Sequence, residues 1–324
     1  MSETADYSPG DWKGYDFNDA RKAYDVHVGR SYTAAKTAKK TLADLVPESI
    51  STDSDAPLMI LCDVTGSMGD WPATIFSKLP YLDLEGKEYL GPNMEISFAA
   101  VGDAHSDQYP IQIRAFNKGT GLKDELEKLV IEGNGGGQSS ESYELTALYY
   151  ARNAHMPNAK RPIMIIIGDE GFYETISKSH AKFAHVNLQD SHINTKELFE
   201  ELQEKYSVYL IRKPYSSGGE AAIQKRWEGL LGKEHIAMLP SADRVVDVIF
   251  GILAQEKNRV DYFRKEIEER QTPKQVDTVY KSLKTIHSLT ATATAAAHID
   301  VKANKGKSIF HSSLSGTKTK RLLP

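Results

Sequence analysis

The chain has 324 residues, 40% hydrophobic and 26% charged, which is enough for one large domain with a substantial core. Its net charge of -4 gives no global attraction to nucleic acid or to a membrane surface. The one cysteine, Cys62, excludes an intramolecular disulfide and a thiolate-based zinc site; it lies in an apolar run and reads as a buried, inert thiol.

Residues 1–56 read as a polar, partly disordered N-terminal extension. Its start, "MSETADYSPGDWKGYDFNDARKAYD", has no apolar signal core, and no apolar run in the chain approaches the ~20 residues of a membrane span. A soluble, cytoplasmic protein is the expectation. Within the extension Tyr32–Val46 has the pattern of an amphipathic helix, and Pro47–Pro57 reads as a linker.

From Pro57 to Glu256 strands and helices alternate. "PLMILCD" is an apolar strand that runs into the polar loop "VTGSMGDW". "WPATIFSKLPYL" is helical, with Pro80 expected to end or kink it. Met94–Asp103 and Tyr109–Phe116 are neighbouring strands whose short connection makes them antiparallel. Leu122–Glu132 is a short helix, Gly133–Ser140 a glycine-rich loop, and Glu141–His155 a helix. Arg161–Phe172 is a second fully apolar strand, and it too runs into a carboxylate, Asp169.

The expected elements continue with a helix over Thr195–Tyr206 and a strand over Ser207–Arg212. A helix over Gly219–Gly232 and a strand over His235–Pro240 follow. Ser241 is a good N-cap for a long helix to Arg270, and a further helix follows Pro273, making residues 257–290 a helical extension. Residues 291–324 read as a basic, disordered tail.

This order implies an α/β fold: a doubly wound, mostly parallel central sheet with one antiparallel edge strand and helices on both faces. Ligands of such sheets bind at the carboxyl ends of the strands. Asp63 and Asp169 both stand at such ends. Asp63, Thr65 and Ser67 alternate along a loop in which Gly66 permits a turn, so short oxygen side chains can converge on one point. That chemistry suits Mg²⁺ or Mn²⁺, which take oxygen ligands and keep several waters. An Asx-turn is the plain alternative for the same residues.

"DVTGSM" resembles the Asp-x-Ser/Thr-x-Ser signature of the metal-ion-dependent adhesion site (MIDAS) of von Willebrand factor type A (VWA) domains, which share the integrin inserted-domain fold. The resemblance covers roughly residues 57–256. It implies a divalent cation, usually Mg²⁺, at the top of a Rossmann-like sheet, held by Asp63, Thr65, Ser67 and the later Asp169. The third loop departs from the family pattern: in "GGGQSSESYELTAL" the first choice of ligand is Ser139, with Ser140, Gln138 and Glu141 as alternatives. Asp103 is placed to act behind the ligands.

The resemblance further implies a metal-dependent protein-binding module. A partner's Asp or Glu would complete the cation's shell, in an intracellular adaptor or scaffold within a multi-protein assembly. The alternative is a Mg²⁺-dependent hydrolase or phosphoryl-transfer enzyme using the same carboxylates. Contact with nucleic acid is expected only weakly, through the basic tail, and contact with a membrane not at all. Other features have plainer readings. Glu170 reads as solvent-facing, and Tyr149 and Tyr150 as packing residues. Trp71 suits core or rim equally. His105, His155, His180 and His185 lack ligand-like pairing and read as surface or packing residues rather than zinc ligands. "SSGGE" reads as an ordinary helix cap rather than an anion cradle.

Overall fold

The computed structural model describes residues 40–126, 128–130, 139–215 and 218–286. Its central sheet has six strands: β1 (Pro57–Asp63), β2 (Glu95–Val101), β3 (Ile111–Ile113), β4 (Ile163–Gly168), β5 (Ser207–Arg212) and β6 (Ile236–Met238). Their spatial order is β6-β5-β4-β1-β2-β3, parallel throughout except for the antiparallel pair β2–β3. The expected doubly wound sheet with one antiparallel edge strand is what forms.

Strands β1, β4 and β5 are buried along their whole length, as central strands covered on both faces must be. The two-residue pleat divides their side chains between two cores. Leu58, Ile60, Ile165 and Ile211 pack on one side with α1 (Trp71–Ser77), α2 (Leu79–Leu90) and α7 (Val245–Glu256). Met59, Leu61, Ile166 and Leu210 pack on the other with α4 (Tyr143–Asn153), α5 (Thr195–Lys205) and α6 (Glu220–Leu231). A short helix α3 (Gly121–Leu126) contributes Leu122 and Leu126 to the first core.

Pro80 breaks the helix as expected, by position. Helix α1 ends at Ser77 and α2 begins at Leu79, so Pro80 falls in a first turn, where its missing N–H costs no hydrogen bond. The expected long helix Ser241–Arg270 is corrected: it divides into a short 3₁₀ turn, α7, and α8 (Val260–Arg270). Asn258, with φ 54°, makes the left-handed turn between α7 and α8, a conformation Asn tolerates better than most residues.

The helical extension belongs to the domain. Phe263 and Ile267 of α8 and Val276 and Val279 of α9 (Pro273–Leu283) lie in the same core as Leu58 of the central strand. A Cβ on Gly251 of α7 would stand 2.1 Å from Leu283 Cδ1, so the missing side chain lets α9 come close. The linker reading of Pro47–Pro57 is corrected as well. Ile50–Ser51 pairs in parallel with Ala154–His155, and Ser54 donates to the Asn93 carbonyl at 2.6 Å. Of the helix expected over Tyr32–Val46, the described residues hold one turn, Leu42–Leu45. Residues 1–39, the glycine stretch with Gln138, and the basic tail lie outside the described residues. Among the described residues no helix is long and apolar enough to cross a membrane.

Because α8 and α9 share the sheet's core, denaturant should unfold the domain in one transition. Ile267→Ala, at a wholly buried position, should lower its stability by about 2–5 kcal/mol. An early, separate transition that alone carries the effect of this substitution would contradict the shared core.

Candidate metal centre

Strand β1 ends at Asp63, and the chain turns there by hydrogen-bonding to that carboxylate. Asp63 Oδ1 accepts from the Thr65 amide at 2.9 Å and from Thr65 Oγ1 at 2.6 Å. This is the Asx-turn, and it aims the hydroxyls: Thr65 Oγ1 lies 3.3 Å from Ser67 Oγ, and Ser67 Oγ donates to Asp169 Oδ1 at 2.8 Å. Gly69, at φ 59°, takes the left-handed step that leads into α1. Turn chemistry and convergence are thus one arrangement.

Asp169 stands one residue beyond the end of β4, and Lys213 one residue beyond β5. Lys213 donates to Asp169 Oδ2 at 3.0 Å and also to the Ser67 carbonyl. Tyr143, on the first turn of α4, donates its phenol to Asp63 Oδ2. Room for that phenol comes from Gly168, where a Cβ would lie 2.0 Å from Tyr143 Oη.

More acid surrounds this chain of bonds. Asp63, Asp103, Glu141, Asp169 and Glu170 are all buried. Asp103 accepts from the Tyr173 phenol at 2.9 Å, the His105 amide at 3.0 Å and Ser106 Oγ at 3.0 Å. Among the described residues, Glu141 Oε2 and Glu170 Oε2 have no hydrogen-bond partner. Burial, and then the charge of Asp169, pushes the Asp63 carboxyl up to about 7. Burial with Asp63 and Asp169 nearby pushes Glu170 up to about 8. Burial, followed by Asp63 and Glu170, pushes Glu141 up to about 11. Among the described residues, the ion pair that reaches these five carboxylates is that of Lys213 with Asp169.

Asp63, Thr65, Ser67 and Asp169, four of the five site residues expected from the sequence, are therefore brought together as two hydroxyl–carboxylate pairs whose hydroxyl oxygens stand 3.3 Å apart. In the third loop, Ser139 is exposed and its carbonyl accepts from the Gly171 amide at 2.9 Å. Ser140 Oγ lies 3.5 Å from Arg226 Nη1. Glu141 is the loop residue whose buried carboxyl feels Asp63. Gln138 lies outside the described residues. The solvent-facing reading of Glu170 is corrected: it is 6% exposed, and its carbonyl accepts from the Trp227 indole at 2.8 Å. His105 and His180 have the packing roles read for them: their rings stand edge to face with centroids 4.6 Å apart, and His105 lies against Tyr173. Trp71 belongs to the core.

Tyr143 and Lys213 escaped the sequence reading. Lys213 had a signal, since it follows an apolar strand by one residue, the same placement that singled out Asp169. Tyr143 had none, because its pocket depends on a glycine in another element.

The donor set is one of oxygens. Among the described residues no three carboxylate, histidine or cysteine groups stand clustered as metal ligands. A cation here would draw on carboxylates, hydroxyls and water, the mixed oxygen shell Mg²⁺ prefers. The oxygens of Glu141 and Glu170 without a hydrogen-bond partner and the raised proton affinity of Asp63 mark buried carboxyls short of a positive partner, and oxygen groups of this kind fit such an ion.

No protein-family profile and no curated protein matches this sequence. Among solved structures, the pilus adhesin SpaC from Lactobacillus rhamnosus GG is similar at a TM-score of 0.41 and 9% identity, over 66% of this chain and 32% of the adhesin. Its open conformation gives a TM-score of 0.43 and 10% identity, over 66% of this chain and 31% of the adhesin. The chain thus spans about a third of the adhesin's length, and at these scores neither likeness carries an argument about the site.

Glu144, behind the site on α4, provides a test of the electrostatics. Its buried carboxyl, which accepts from the Tyr173 amide at 3.1 Å, is pushed up to about 8, chiefly by burial. The folded state then holds this proton more tightly than the unfolded chain, so the stabilisation is full below the ordinary carboxylate range. It is lost as pH rises through about 8. Glu144→Gln should leave stability little changed at low pH and raise it by about 1 kcal/mol or more above the folded value. Equal effects at both ends of the pH range would contradict the burial argument. Gly168→Ala should displace Tyr143 from Asp63 and lower the melting temperature; an unchanged melting curve would show that the phenol has another place to go.

Proposed function

We propose that this is a divalent-metal-dependent protein-binding module of the von Willebrand factor type A kind, using Mg²⁺ or Mn²⁺. Asp63, Thr65, Ser67 and Asp169 hold the ion. Glu141 takes the third-loop role in preference to Ser139, because its carboxyl is buried, feels the charge of Asp63 and has an oxygen without a hydrogen-bond partner among the described residues, while Ser139 is exposed. The observation that carries the proposal is the group of buried carboxylates at the strand ends whose pairing with Lys213 leaves acceptor oxygens unpartnered. A bound cation neutralises that charge and offers a coordination position to an outside oxygen.

Thr65 and Ser67 supply neutral oxygens, so they leave the ion electrophilic and receptive to a carboxylate from outside. The partner is therefore a protein presenting Asp or Glu, and the role is that of an adaptor or scaffold in an assembly rather than of an enzyme. A cytoplasmic setting suits the single, buried Cys62.

Calorimetry on the full chain should show one Mn²⁺ per molecule. Asp63→Ala should weaken that binding at least 100-fold, about 2.7 kcal/mol, without preventing folding. Full affinity in this variant would remove the assignment. Thr65→Asp should keep or raise cation affinity while weakening a carboxylate-bearing partner about tenfold or more, because an added charge quenches the ion. Undiminished partner binding by that variant at saturating Mg²⁺ would mean that the partner does not reach the metal.

A further inference from the structure

Lys213 brings a positive charge to the place proposed for a cation. Its Nζ bonds Asp169 Oδ2 at 3.0 Å and the carbonyl of Ser67, so it links the same two segments that Ser67 Oγ and Asp169 Oδ1 link at 2.8 Å. A lysine that merely solubilised the rim would have no reason to be held twice.

The backbone delivers it there. The Lys213 amide donates to the Gly168 carbonyl at 3.0 Å, which extends the β5–β4 ladder by one residue. Arg212, next to it, is fully buried and is bound by Glu220 at 2.8 and 2.6 Å, by Gln224 at 2.8 Å and by the Asp169 carbonyl at 3.3 Å. Glu220 also accepts from the Tyr215 amide at 2.8 Å, which fastens the loop after Lys213 to the start of α6. The main chain at residue 213 is anchored, whereas the Lys213 side chain is 20% exposed. A lysine stem on a fixed backbone can leave its carboxylate by rotating toward solvent, with no rearrangement of the fold.

We propose that Lys213 is a tethered, displaceable counter-ion of the site. It pairs with Asp169 while no metal is bound, competes with a divalent cation for that carboxylate, and swings to the rim when the cation enters. From the rim its positive charge would favour outside ligands that carry a negative charge. The inference rests on the metal reading above and makes Lys213 a specificity-determining residue rather than a ligand. Its cost is cation affinity: charge repulsion and the lost ion pair both oppose metal entry.

The test compares Mn²⁺ affinity by calorimetry in the full-length parent, Lys213→Gln, Lys213→Arg and Asp63→Asn. Lys213→Gln should bind Mn²⁺ at least fivefold more tightly than the parent, Lys213→Arg should bind like the parent because it keeps the charge, and Asp63→Asn should lose binding. If Lys213→Gln binds no more tightly while Asp63→Asn still loses the ion, the counter-ion role is overturned and the metal site stands. Unchanged binding in Asp63→Asn would instead overturn the metal site itself. A second readout needs no variant at Lys213. Reductive methylation of the parent, mapped by mass spectrometry, should label Lys213 faster with Mn²⁺ than with EDTA, and Asp63→Asn should show no such increase. Should Lys213→Gln fail to fold, the labelling decides, and equal rates with and without Mn²⁺ overturn the proposal.

Discussion

Burying a carboxylate without a counter-charge is among the least favourable things a protein core can do. At the carboxyl edge of this sheet Asp63, Asp103, Glu141, Asp169 and Glu170 are all buried. Such an arrangement persists only if the negative charge is relieved. Three means of relief are present: donors from Thr65, Ser67 and Tyr143, the ammonium of Lys213, and protons held more tightly than usual. A divalent ion, as proposed, would be a fourth and would do in full what the others do in part.

The fold makes this concentration possible. A parallel sheet points its carboxyl ends the same way, and β1, β4 and β5 each run out of apolar residues at that edge, leaving Asp63, Asp169 and Lys213 side by side. The cores on both faces hold the strands in register without help from the site. The site loop also gives Val64 and Met68 to the first core, so its fold is anchored by packing as well as by the bonds to Asp63. Tyr143, through its packing against Gly168 and its bond to Asp63, ties the first turn of α4 to the site.

How much of this was legible follows from the range of each signal. The main strands and the ligand candidates Asp63 and Asp169 could be read because an apolar run that stops at a carboxylate is a local pattern. The break at Pro80 was equally local. The break at Asn258 was not, because no glycine or proline marks it and the left-handed backbone of Asn258 is what interrupts the helix. The third loop was ambiguous for a related reason. Which side chain enters the site depends on the pairing of Ser140 with Gly171 and of Glu141 with Phe172, a contact between segments far apart in the chain. Glu170 looked solvent-facing because nothing in "GDEGF" announces that its carbonyl will meet the Trp227 indole or that its carboxyl will be buried near Asp63 and Asp169. The extension after Glu256 looked separable because its apolar face gave no address; the structure shows that address to be α7 and the sheet's own core.

The most direct test of whether these carboxylates exist to meet a cation is a crystal grown with Mn²⁺ and measured at a wavelength where manganese scatters anomalously. The account predicts one strong anomalous peak among Asp63, Ser67 and Asp169, with Lys213 moved off Asp169. A well-ordered site with no peak there, and Lys213 still paired to Asp169 at saturating Mn²⁺, would contradict it.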